Sequence, residues 1–151
     1  LEKLICYCME KESITEEDVA VICSEQTENK IFDMINAMAE KKQKKAMELY
    51  YDLLALKEPP MRILYLITRQ FNLLMQVKEL SEEGYSAKTI SERLKMAGFI
   101  VRNCLRQAEY FSLKTLKEAL QDCVRMEEAV KTGRMNDVMS VELLLVKYSS
   151  W

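Results

Sequence analysis

At 151 residues and 49% hydrophobic, the chain is long enough to bury a proper core, roughly two-thirds of its unfolded surface. Lys+Arg 22 against Asp+Glu 24 leaves a net charge of −2, which argues against a generic binder of nucleic acid or anionic membranes. Three Gly, two Pro and no His favour long helices and leave little of the usual equipment for catalysis, transition-metal binding or phosphate loops.

No stretch reaches the roughly 20 apolar residues of a spanning helix, and no signal-peptide pattern is present. The expected setting is soluble and cytoplasmic. Five cysteines, Cys6, Cys8, Cys23, Cys104 and Cys123, are odd in number. Cys6-x-Cys8 has no second pair to complete a zinc tetrahedron, so the five read as reduced thiols.

Leu1, Leu4, Ile5 and Cys8 lie on one helical face at i, i+3, i+4, i+7. Neither an initiator Met nor a capping residue precedes them, so the expectation is a chain cut from something longer. Thr15 is placed to cap the next helix, with Asp18 at N3 and with Ile14 and Val19 as a hydrophobic staple. That helix is expected to end near Cys23, because Ser24 to Glu28 is polar throughout.

Asn29 then caps a helix whose apolar face is Ile31, Met34, Ile35 and Met38. The next carries Ala46, Leu49, Tyr50, Leu53 and Leu54. Pro59-Pro60 stops one helix and opens another. From Met61 to Glu82 runs the longest apolar segment, and its apolar arc is too broad for a one-sided helix, which predicts a central position. Gly84 supplies a left-handed residue beyond its end. Ser86 caps a short helix carrying Ile90 and Leu94, and another helix runs from Ala97 to Tyr110. Ser112 opens a long one with Leu113, Leu116, Leu120, Cys123, Val124 and Val130, closed by Gly133. Asn136 or Asp137 caps the last, which carries Val138, Val141, Leu144, Leu145 and Tyr148. No period-2 strand or hairpin turn is legible, so the predicted fold class is an all-α helical bundle.

The basic run Lys41-Lys42-Gln43-Lys44-Lys45 reads as a solvated helix–helix junction. Glu16-Glu17-Asp18 answers the positive end of a helix dipole, and Glu127-Glu128 lacks the histidine a di-iron bundle requires. There is no phosphate-loop glycine motif and no Gly-x-Ser-x-Gly elbow. A sharper alternative is Ser86 to Tyr110, whose two short helices have the spacing of a helix-turn-helix. Its second helix would offer Arg102, Asn103, Arg106 and Gln107 to base edges, and five cations against two carboxylates give the segment a charge of +3.

Read together, the segments resemble the C-terminal part of the delta-subunit family of bacterial DNA polymerase III, a component of the sliding-clamp loader. Glu2-Lys3-Leu4 followed by Ile14-Thr15-Glu16-Glu17-Asp18-Val19 looks like the end of that family's AAA+ lid. Asn29-Lys30-Ile31-Phe32-Asp33 and Ala46 to Leu54 are similar to the start of its helical collar domain. So are Pro60 to Leu66 with Arg69-Gln70-Phe71, and Val130-Lys131-Thr132-Gly133 followed by Glu142-Leu143-Leu144. Glu127 stands where the family often has Asp, and Asn72 where a further basic residue is expected.

The resemblance implies that residues 1–24 end a AAA+ lid and that 25–151 form a collar, or oligomerisation, domain. It implies no catalytic residue, metal or cofactor in this part. The implied partners are loader subunits of gamma/tau and delta-prime type, held through the collar. Sliding clamp and primer–template DNA would be reached only through a preceding region or other subunits. Arg62, Arg69, Tyr148 and Trp151 are the candidate interface residues, taken as outward side chains because Arg and aromatics are enriched at interface hot spots.

Overall fold

The computed structural model describes the backbone of residues 16–149 and the side chains of residues 26–149. Among the described residues seven helices follow one another: α1 (Glu16–Ala39), α2 (Gln43–Ala55), α3 (Pro60–Glu82), α4 (Ala87–Leu94), α5 (Gly98–Ala108), α6 (Leu113–Lys131) and α7 (Asp137–Ser149). Among the described residues there is no strand. The chain is all-α, as its pattern predicts.

Pro60 fits the first turn of α3, where its missing N–H has no partner to lose. Ile63, Leu64, Leu66, Ile67, Phe71, Leu74 and Val77 are all buried along it, and α1, α4, α5, α6 and α7 pack around it. Phe71 meets Phe111 edge-on at 5.9 Å between ring centroids and Tyr148 at 6.1 Å. Loss of so central a ring costs about 3–5 kcal/mol in a core that cannot collapse into the space. From α1 the expected face of Ile31, Met34, Ile35 and Met38 enters the core, and from α2 come Ala46, Tyr50 and Leu53. The Tyr50 hydroxyl donates to the Val138 carbonyl at 2.9 Å, which pins α2 to the start of α7.

One predicted boundary is absent. The helix expected to end near Cys23 and the cap expected at Asn29 are replaced by the unbroken α1. Ser24 to Asn29 contains no Gly or Pro, and its Glu and Gln are good helix formers, so polarity there marks exposure and not a stop. Thr27 is even buried, and its hydroxyl donates to Glu58 at 3.0 Å. The face of Leu1, Leu4, Ile5 and Cys8, the cap at Thr15 with its staple, and Trp151 lie outside the described residues.

The other starts follow the expected caps. Ser86 Oγ accepts the Thr89 N–H, and Ser112 Oγ accepts the Thr115 N–H. At α7 it is Asn136 that caps, accepting from Val138 and Met139, while Asp137 adds a second acceptor for Val138.

Five helix ends close through a left-handed residue, yet only Gly84 and Gly133 are glycines there. The other three are Lys41, Lys57 and Lys95, with φ of 61°, 65° and 54°. At each end the next residue's N–H reaches back five positions: Lys42 to Ala37, Glu58 to Leu53, Tyr85 to Leu80, Met96 to Ser91 and Arg134 to Ala129. Backbone bonds at those corners outweigh the Cβ penalty, and so a glycine-poor chain still turns sharply. The exposed Lys57 carries that penalty with no offsetting side-chain contact. Lys57→Gly should therefore raise unfolding free energy by about 0.5–1 kcal/mol in urea titration.

Candidate functional site

Arg62 and Arg69 stand on the outward side of α3, with exposed Tyr65 between them at the i, i+3, i+7 spacing of one face. Arg62 pairs with Glu58 at 3.3 Å and Arg69 with Glu28 of α1 at 3.3 Å. Since Glu58 also accepts from Thr27, both arginines are held in register with α1. Tyr65 went unnoticed in the sequence. The pattern could have found it, because it interrupts a run of core residues on the arginine face.

Tyr148 is a correction. Chosen as an outward side chain, it is only 6% exposed, with its ring against Phe71. Its hydroxyl donates to Asp122 Oδ2 at 2.5 Å, and Lys147 donates to the same oxygen at 2.6 Å. Burial pushes the Asp122 carboxyl up, but the bonds from Lys147 and Tyr148 and the charges of Lys147 and Arg125 outweigh it. The net pKa lies below the ordinary aspartate value. Burial and then the bond to Asp122 push the Tyr148 hydroxyl upward, so it stays protonated. The cluster locks α7 to α6.

The helix-turn-helix alternative fares poorly. Arg102, Asn103 and Arg106 are exposed on α5, but Gln107 is 1% exposed and faces inward with Val101, Cys104 and Ala108. Gln107 accepts from Gln70 of α3 at 3.0 Å and donates to the Phe32 carbonyl of α1 at 3.1 Å. A glutamine committed to bridging three helices cannot read a base, so the four residues do not form one reading face.

Burial pushes the Cys104 thiol up, and it pushes that of Cys123 to about 11, so both stay protonated at neutral pH. The side chains of Cys6, Cys8 and Cys23 lie outside the described residues. The basic run sits at the α1–α2 corner, where Lys41 donates to the Tyr148 carbonyl at 3.2 Å and Lys42 pairs with Glu40 at 2.8 Å. Glu127 pairs with Lys131 one turn on, at 2.8 Å. No helix among the described residues is long and apolar enough to cross a membrane.

An apolar surface also lies on α7. Val141, Leu144 and Leu145 face the core, while Met139, Leu143 and Val146 are 52%, 43% and 37% exposed on the opposite side. Tyr51 of α2 stands beside them, its hydroxyl donating to Glu142 at 3.0 Å.

A family model described as the DNA polymerase III delta subunit, C-terminal domain, matches residues 28–148. The chain belongs to this family. It is 33% identical over 147 residues to the DNA polymerase III subunit delta of Bacillus subtilis (strain 168), covering 97% of this chain and 42% of that protein. The solved Bacillus subtilis DNA clamp loader delta protein is similar at a TM-score of 0.81 and 32% identity, over 98% of this chain and 44% of the other. The chain thus spans less than half the length of the delta proteins it matches. Its helical architecture is the one the family resemblance implied.

The Asp122 cluster yields a signed prediction. Because its folded pKa is depressed, its stabilisation is complete above the unfolded value of about 3.9 and is lost as pH falls through the folded one. Asp122→Asn should cost about 1.5–3 kcal/mol at pH 7, the range for hydrogen bonds to a charged group. Urea titrations at pH 7 and pH 3 should show the gap between parent and variant closing in acid.

Proposed function

We propose that this chain is a non-catalytic assembly domain of a clamp-loader delta subunit, joining loader subunits into the ring that loads the sliding clamp during DNA replication. The observation that carries it is the outward face of α7. A helix apolar on both sides is suited to burial on both, and Met139 and Leu143 are 52% and 43% exposed on its outer side. Tyr51 widens the patch, and contiguous apolar surface of that kind marks an interface.

Family membership supports other loader subunits as partners, and in this proposal they are of gamma/tau and delta-prime type. Arg62, Tyr65 and Arg69 form a second candidate contact. Their ion pairs to Glu58 and Glu28 hold the arginines in place before docking, which lowers the entropy lost on binding. In this reading residues 1–24 end the AAA+ lid and 25–151 are the collar. The unbroken α1 would carry motion of the lid stiffly into the bundle. Clamp and primer–template DNA would be reached through the rest of the delta subunit or through its neighbours.

The test is to mix the chain with the other loader subunits of the same organism and measure mass by light scattering after size exclusion. A stable hetero-oligomer is expected. Met139→Glu combined with Leu143→Glu should weaken it by about 2–4 kcal/mol, the loss typical of interface hot spots, with circular dichroism unchanged. If neither this chain nor a full-length delta subunit of that organism enters the complex, the reading fails.

A further inference from the structure

A groove of about 520 Å³ opens between α3 and the α4–α5 turn, with α1 closing one side. Ile31 and Leu66 are buried at its floor, Leu73 and Ile100 line it higher up, and Arg69 and Lys95 stand at its exposed edge. α7 contributes nothing to it, so it is separate from the apolar α7 patch, although Arg69 at its edge also belongs to the second candidate contact.

This groove absorbs the segment that resembled a helix-turn-helix. The turn between α4 and α5 supplies Lys95, Met96 and Ala97 to its wall, and α5 supplies Ile100. Ser86 to Tyr110 carries +3 in a chain whose total is −2, so the groove borders a basic segment of an acidic protein. Arg69 is paired with Glu28, which also lines the groove, so Lys95 is the cation left to meet a ligand. Among the described residues no carboxylate pairs with Lys95. Lys95 also occupies a left-handed position, φ 54°, where glycine would be cheaper, yet a cation stands there.

We propose that the groove docks an acidic peptide segment of a partner protein. An apolar side chain of the peptide seats between Leu66 and Ile100, and a neighbouring carboxylate pairs with Lys95. The volume lies within the range of sites that enclose a small ligand or a few side chains. An apolar floor with cations confined to the edge suits a mixed peptide. A nucleic-acid strand needs a row of cations and stacking aromatics, and no aromatic lines this groove.

The experiment uses the whole chain with isotope-labelled Met and Ile methyl groups, followed by NMR. Three probes are titrated: a synthetic peptide alternating Asp and Glu with Leu and Phe, the same peptide with Lys at every acidic position, and oligothymidine. The acidic peptide should shift the Met96, Ile100 and Ile31 methyls, and the other two should not. Lys95→Gly should weaken that binding about tenfold, roughly the loss of one charge-assisted contact, while raising the thermal midpoint because glycine suits the backbone there. A more stable protein that binds less well separates a docking role from a structural one. Unchanged affinity in Lys95→Gly, equal shifts with the basic peptide or oligothymidine, or no shift at these methyls with the acidic peptide would overturn the proposal.

Discussion

The bundle depends on burial of α3 on every side but one narrow stripe. Between Ile63 and Val77 its apolar side chains point in too many directions for one neighbour to cover, so α1, α4, α5, α6 and α7 are all drawn onto it. Phe71 is where these elements converge, touching the α5–α6 turn through Phe111 and the terminal helix through Tyr148. With the centre satisfied in this way, the outer helices are free to keep one face for other uses. α7 does so with apolar residues, and α3 itself does so with the stripe of Arg62, Tyr65 and Arg69.

Helices wrapped around a common axis leave polar atoms in the seams between them, and here several seams are pinned. Gln70 and Gln107 bridge α3, α5 and α1. Asp122 gathers Tyr148 and Lys147 between α6 and α7, and Tyr50 reaches the Val138 carbonyl between α2 and α7. No buried side-chain nitrogen or oxygen among the described residues lacks a partner. Apolar packing tolerates sliding, whereas such bonds select one register. A fixed register matters for a domain proposed to present surfaces to several neighbours at once.

Two kinds of outward surface result, and they differ in chemistry. The α7 patch is apolar and open, suited to a broad contact with another folded subunit. The groove beside α3 is narrow and edged with cations, suited to a short acidic segment. Neither uses a catalytic group, and the two described cysteines have thiols that burial holds protonated.

Much of this was written in the sequence. Helical periodicity, the prolines at the start of α3 and the serines at positions 86 and 112 set the class, the central helix and most of the starts, because they act within a turn or two of chain. The order of weak motifs pointed to the family. Local signals failed where the deciding contact was distant. Ser24 to Asn29 looked like a boundary, and only the bond from Thr27 to Glu58 and the intact backbone show a helix continuing through it. Tyr148 and Gln107 looked available for partners. Their burial was settled by Asp122, 26 residues away, and by Phe32, 75 residues away. Polarity and aromaticity state what a side chain can bond, but which way it points depends on which helices meet. The sequence alone determined an all-helical chain of this family, and the tertiary packing around α3 decided which of its faces remain outside.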